Sequence, residues 1–290
     1  MDAFFQQLCA GLANGTIYAC VALALVMIYQ STHHVNFAQG EMAMASTYIA
    51  LAALNMGLPY WVAFATSLVA SFAAGVVIER VLIRPVERAP LLNVVAVFIG
   101  LFVVVNSVIG WVFGHETRSF PSPFAADAWY ASIYLSAHQV GMLVVTLVVL
   151  GLVFAFFRFT ALGLAMRAAA QNPVSSRLVG IRVGRLLALG WGLAGAVGAV
   201  AGMLAAPMVY LDPNMMGGIL LYGFAAALVG GIDNPWGAVI GGLLVGVAEN
   251  LAGAYFVGTD IKLTVALAMI LGVLLVRPAG LFGRQLVSRV

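Results

Sequence analysis

Nine stretches of mainly apolar residues recur along the chain, at residues 4–29, 37–54, 60–78, 91–113, 139–157, 186–208, 217–232, 236–256 and 261–276. One helical crossing of a bilayer's hydrocarbon core needs about 20 such residues, and lipid offers no partner to backbone N–H and C=O groups. The runs are unbroken instead of alternating, which predicts helices and not the strands of a closed barrel. Only 8% of the 290 residues are charged, where a soluble domain carries roughly 25%. The sequence therefore predicts an all-α, polytopic transmembrane helix bundle of about eight or nine segments, with residues 1–290 as a single transmembrane domain. Stretches 37–54 and 217–232 are near the lower length limit and are read as short spans or as broken or re-entrant helices.

Basic residues give the bundle a direction. Arg80, Arg84 and Arg88 share one connection, Arg158, Arg167, Arg177, Arg182 and Arg185 a second, and Arg277, Arg284 and Arg289 the C-terminal segment, eleven of the 13 in the chain. Cationic loops stay in the cytoplasm, so these three segments are expected inside, with Arg118 and Lys262 on the opposite side. Nine crossings then put the N-terminus outside and the C-terminus in the cytoplasm. A re-entrant segment before Tyr60 would change the side of the N-terminus alone. The first stretch has no positive n-region and is too long for a signal peptide, so it is read as a retained helix.

Two connections are long enough for a role of their own. The external one, residues 114–138, mixes Pro121, Pro123, Trp129, Tyr130 and Tyr134 with Glu116, Arg118 and Asp127, a composition that fits a headgroup boundary or a docking surface. The internal one, residues 158–185, carries a helical pattern. Leu162, Ala165, Met166 and Ala169 follow i, i+3, i+4, i+7, with Arg167 elsewhere on the wheel. This helix should end before Pro173, and a second turn over residues 174–179 should stop at Gly180. By residue chemistry, the element fits an inner-leaflet anchor with its arginines on anionic lipid as well as a docking site for a partner.

Several chemistries lack their residues. There is no G-x-x-x-x-G-K-[ST], and Lys262 is the chain's one lysine, so no nucleotide-binding P-loop is built here. Neither H-E-x-x-H, C-x-x-C nor G-x-S-x-G occurs. Adjacent His33 and His34 project about 100° apart on a helix. Cys9 and Cys20 sit about 16 Å apart along one helix, too far for a disulfide. No enzyme activity, metal, cofactor or nucleic-acid partner is expected of this chain.

What remains are polar groups and glycines within apolar stretches. Glu41 and Glu249 are the acidic residues inside the runs, where a charge persists only facing protein or a water-filled cavity. Around Glu41, Asn36 reads as a helix N-cap with Gln39 as its N3 partner, or equally as part of a pathway. Glu249, followed by Asn250, reads as a structural partner or a pathway residue. Gly217, Gly218, Gly230, Gly231, Gly237, Gly241 and Gly242 surround the connection 232–235, which predicts a tight helix hairpin with close backbone approach.

Read together, these segments are familiar. Asn36-Phe37-Ala38-Gln39-Gly40-Glu41-Met42 resembles the opening signature of the LivH-type permeases of branched-chain amino acid ABC importers. Gly163-Leu164-Ala165-Met166-Arg167-Ala168, then Gln171-Asn172-Pro173 and Leu178-Val179-Gly180-Ile181, is similar to that family's cytoplasmic coupling loop. Leu228-Val229-Gly230-Gly231-Ile232, Pro235-Trp236-Gly237-Ala238 and Gly241-Gly242 match its late hairpin, and residues 276–283 its ending. Ser175-Ser176 and Arg182 depart from the usual residues there.

The resemblance implies a bacterial inner-membrane permease subunit of an ATP-driven importer. A second permease subunit completes the pathway, two cytoplasmic ATP-binding subunits drive it, and an external substrate-binding protein feeds it. ATP is bound by the partners alone. It also implies pathway roles for Asn36, Gln39 and Glu41 and coupling roles for Gly163, Arg167, Asn172, Pro173 and Gly180. Glu249 is added to the pathway candidates, and Gly230, Gly231, Gly237, Gly241 and Gly242 to the packing residues. The rival reading is an ion-coupled secondary transporter or channel, for which Glu41 and Glu249 are the available coupling groups.

Overall fold

The computed structural model describes residues 2–86, 89–125, 134–258 and 261–283. Arg88, Asp127, Trp129, Tyr130, Arg284 and Arg289 lie outside them. Among the described residues the regular structure is helical, apart from an isolated antiparallel bridge between Arg118 and Leu211. The helices are α1 (Asp2–Thr32), α2 (Gln39–Asn55), α3 (Tyr60–Val86), α4 (Leu91–Phe113), α5 (Ala137–Phe159), α6 (Ala161–Gln171), α7 (Pro173–Leu178), α8 (Val183–Val209), α9 (Met216–Gly230), α10 (Pro235–Ala252) and α11 (Lys262–Val276). Single π-helical turns interrupt α3 at Glu79–Ile83 and extend α10 at Gly253–Val257.

All nine apolar stretches are helical, and α4 has the bounds its sequence predicts. Length separates them. Among the described residues six helices are long and apolar enough to cross a bilayer: α1, α3, α4, α5, α8 and the run Pro235–Phe256. At 15 residues, α9 and α11 are about 22 Å long, and 17-residue α2 is about 25 Å. All three fall short of the roughly 30 Å hydrocarbon layer.

The chain divides into two units. One comprises residues 1–26, 122–144 and 217–290, and the other residues 27–121 and 145–216. In the second unit α2, α3 and α8 pack against one another. Close approach depends on small residues: a Cβ at Gly195 would meet the Ser71 carbonyl, and one at Gly202 the Ala43 carbonyl and Thr47 Oγ1. Polar bonds tie the same helices, with the Ser71 hydroxyl donating to Ser46 Oγ at 2.6 Å. The core includes Tyr48, Met44, Met203 and Trp191, whose ring stacks on Phe98 at 6.0 Å and 13°. In contrast, only 17% of the apolar windows of α4 and α5 is buried. Their outward faces, including Trp111 and Leu152, need an apolar surrounding.

In the first unit α1 and α10 meet through glycines at four-residue spacing. A Cβ on Gly11 or Gly15 of α1 would meet the backbone of Gly246, Val247, Gly242 or Leu243, and one on Gly242 would meet Ala19. This is the small-xxx-small geometry that lets membrane helices touch at the backbone. The α9–α10 hairpin is tighter still, because Gly237 and Gly241 leave room for the Gly230 backbone and the Ala226 carbonyl. Gly231 takes φ +110°, and the chain's late segment lies against it. Leu281 N–H donates to the Val229 carbonyl at 2.8 Å and Phe282 N–H to Gly230 at 3.0 Å. Asn234, the N-cap of α10, donates to the Phe282 carbonyl at 3.1 Å. The last carbonyls of α9 are thus satisfied by residues some fifty positions away, and two motifs separate in sequence form one clasp.

Candidate functional site

Helix α2 starts well inside the apolar layer defined by its neighbours. Gln39, its first residue, donates through Nε2 to the Ala194 carbonyl at 3.1 Å, in the space Gly198 leaves by having no side chain. Ala194 is eleven residues after the start of α8 at Val183, about 16 Å along it. Asn36, Gln39 and Glu41 are all buried, at 0, 1 and 2% exposure.

The local geometry corrects the capping expectation. Phe37 and Ala38 form a turn, so the N-cap is Ala38, with no side-chain cap bond, and Gln39 is N1 instead of N3. Asn36 stabilises that turn by accepting from Ala38 N–H at 3.0 Å, and its amide lies 3.5 Å from Gln39 Oε1. Glu41 occupies N3, where a carboxylate suits the positive helix end. Its Oε2 accepts from Asn106 Nδ2 of α4 at 3.1 Å. That nitrogen also lies 2.8 Å from the Pro213 carbonyl and 3.3 Å from Asn214 Oδ1. The turn bearing Pro213 follows Tyr210, a non-glycine residue at φ +63°, a sparsely populated conformation.

Glu249 is not part of this cluster and belongs to the other unit. It is 4% exposed and accepts from Tyr18 Oη at 2.8 Å, while Tyr222 stacks on Tyr18 at 4.8 Å and bonds the same carboxylate. Its neighbour Asn250 donates to Gln7, and Lys262 Nζ donates to Asn250 Oδ1 at 3.3 Å. The first three pathway candidates therefore come together, and the fourth has its own partners.

The internal connection forms two short helices with distinct caps. Thr160 Oγ1 accepts from Gly163 N–H at 2.9 Å to start α6, and Asn172 Oδ1 accepts from Ser175 N–H at 2.9 Å to start α7, with Pro173 at the first helical position. Gly180, at φ +85°, ends the second. The packed face of α6 keeps three of the four expected residues, Ala165, Met166 and Ala169, and has Gly163 in place of Leu162. Gly163 and Ala169 are buried and Met166 is partly buried against Val183, Leu186 and Leu187, whereas Leu162 is 51% exposed. Gly163 sets this rotation, because it sits directly on the backbone of Phe156 and Phe157. Arg167 borders a small cleft with Met27, Gln30, Ser31 and Leu186.

Three contributors escaped sequence reading. Thr160, a threonine immediately before a helical pattern, carried a readable capping signal. Arg84 does more than mark a side: it pairs with buried Glu79 at 3.2 Å and donates to the Gly184 carbonyl, joining the π-turn of α3 to the start of α8. Asn106 is an isolated amide in an apolar run.

Comparison with known proteins gives a consistent answer. Residues 7–274 match the family described as the permease component of branched-chain amino acid transport systems. The chain is 32% identical to the high-affinity branched-chain amino acid transport system permease protein LivH of Escherichia coli (strain K12), over 99% of this chain and 98% of that one. It is 33% identical to the corresponding protein BraD of Pseudomonas aeruginosa, with the same coverage. Among solved structures, PsaBC from Streptococcus pneumoniae in complex with Fab is similar over 90% of this chain and 88% of that one, with TM-score 0.49 and 12% identity. The chain is a membrane permease and belongs to the family of branched-chain amino acid transport system permease components.

Proposed function

We propose that this permease forms half of the translocation pathway of an ATP-driven importer for branched-chain amino acids or a related small polar solute, working by alternating access. The observation that carries the reading is the start of α2. A helix that begins about 16 Å up α8, with Asn36, Gln39 and Glu41 buried around its first turn, has the form transporters use to present polar groups to a solute at mid-membrane.

In this reading residues 1–290 are one transmembrane domain in the bacterial inner membrane, crossing eight or nine times, with α2 broken or re-entrant. The C-terminus lies in the cytoplasm, residues 114–138 outside, and residues 158–185 inside as the coupling loop. A second permease subunit, two ATP-binding subunits and an external substrate-binding protein complete the machine, and ATP is bound by those partners only. Support for the loop's role comes from its surface. Leu178 and Val179 are 84 and 76% exposed beside Arg177 and Arg182, a mixed apolar and basic patch suited to a protein partner. Gly163, Arg167, Asn172, Pro173 and Gly180 shape it, and the Met166 and Ala169 face passes its movement to α8. Glu249 remains a pathway candidate through Tyr18 and Tyr222.

Arg167→Glu is expected to reduce ATP-dependent uptake at least tenfold while the permease still reaches the membrane. The variant is compared with wild type for co-purification of the ATP-binding subunits and for uptake. Intact assembly together with intact uptake would remove the coupling role.

A further inference from the structure

Asn106 Nδ2 is the meeting point of three oxygens: Glu41 Oε2 at 3.1 Å, the Pro213 carbonyl at 2.8 Å and Asn214 Oδ1 at 3.3 Å. A side-chain amide nitrogen has two hydrogens, so three acceptors converge on a donor that serves two. The backbone segments that carry these acceptors are placed by causes that do not involve Asn106. Glu41 is fixed in the first turn of α2 at 2% exposure. Pro213 and Asn214 are held by their own turn, in which Asn214 N–H donates to Asp212 Oδ1 at 2.7 Å and Met215 N–H to the Asp212 carbonyl at 3.2 Å. Glu41 and Pro213 are buried, Asn106 is half-buried and Asn214 is exposed.

One carboxylate and two neutral oxygens around a single nitrogen position complement a primary ammonium, which has a positive charge and three N–H donors. A carboxylate in an apolar layer gains most from a cationic partner, yet the partner here is a neutral amide. We infer that Glu41, the Pro213 carbonyl and Asn214 form the recognition site for the α-ammonium group of a transported amino acid. The Asn106 amide holds that position in the absence of solute and gives way to it. The inference rests on the permease reading above and adds which group of the solute is read, and by which atoms. Glu41 as a stabiliser of the α2 terminus alone would leave the convergence of the other two oxygens unused.

The test uses the assembled transporter in proteoliposomes energised with ATP, with leucine as solute and 4-methylpentanoate, leucine without its ammonium group, as competitor. Wild type is expected to take up leucine and to ignore the competitor. Glu41→Gln should lower uptake at sub-saturating leucine about tenfold or more, and Asn214→Ala should weaken apparent affinity several-fold at unchanged maximal rate. Asn214→Ala changes an exposed side chain, so it reports on the site even where Glu41→Gln fails to assemble. Leucine uptake unchanged in assembled Glu41→Gln, or apparent affinity unchanged in assembled Asn214→Ala, would overturn the inference while leaving the permease reading in place. Replacement of sodium by choline that halts wild-type uptake and leaves Glu41→Gln unaffected would make the oxygens an inorganic-cation site, and overturn it likewise. A wild-type transporter that carries another small polar solute and no amino acid would overturn the inference alone, and one that carries no solute with ATP would bring down both.

Discussion

Gly241→Leu is expected to remove most of the correctly folded permease from the membrane. A Cβ at this position meets the Ala226 carbonyl and lies 2.8 Å from Gly230 N and 3.0 Å from Gly230 Cα. All three obstacles are backbone, so no rotamer change relieves them, and α9 has to move off α10. Overpacking of a tight interface costs about 1–3 kcal/mol, and a rigid obstacle places this case at or above the upper end. The displacement has a second consequence, because the last carbonyls of α9 hold Leu281 and Phe282. Moving α9 opens the clasp as well. Size-exclusion profiles of detergent extracts should show little monodisperse protein for Gly241→Leu and an intermediate level for Gly241→Ala. A leucine variant at normal level with normal transport would contradict the packing described.

Trp191→Ala is the second large effect, and it acts in the other unit. Trp191 is fully buried, stacks on Phe98, and lies where α8 meets Gly75 of α3. Truncating a large buried aromatic to alanine costs about 3–5 kcal/mol through lost transfer energy and the cavity left behind. Against a total stability of about 5–15 kcal/mol, that is a large part. Trp191→Phe keeps an aromatic ring against Phe98 and should cost much less. Thermal unfolding in detergent separates the two. Equal midpoints for Trp191→Ala and wild type would mean that this helix junction does not carry the unit's stability.

The helices were legible because lipid imposes one local rule on every segment: each apolar run satisfies its own backbone. The same rule explains where reading stopped. Apolarity does not say where along a neighbour a helix starts, and Asn36 and Gln39 have the spacing of a cap whether or not Phe37 and Ala38 continue the helix. Arg84 carries the same charge as a topology marker, and nothing local reveals that Gly184, 100 residues on, meets it. Asn106 is 65 residues from Glu41 and 107 from Pro213, so its partners are set by tertiary contact alone. Glycines fared better, since their spacing is itself the signal. The hairpin glycines were readable, and Gly11 with Gly15 had the right period but no visible partner until α10 was placed against α1.

Energy coupling is the central claim, and reconstitution tests it most directly. The permease is assembled with the proposed ATP-binding subunits in liposomes, the proposed binding protein is added outside, and labelled leucine uptake is measured with internal ATP, without ATP, and by the permease alone under sodium or proton gradients. The proposed function predicts uptake that requires ATP and the binding protein, with none by the permease alone. Uptake by the permease alone, driven by an ion gradient and indifferent to ATP, would contradict it.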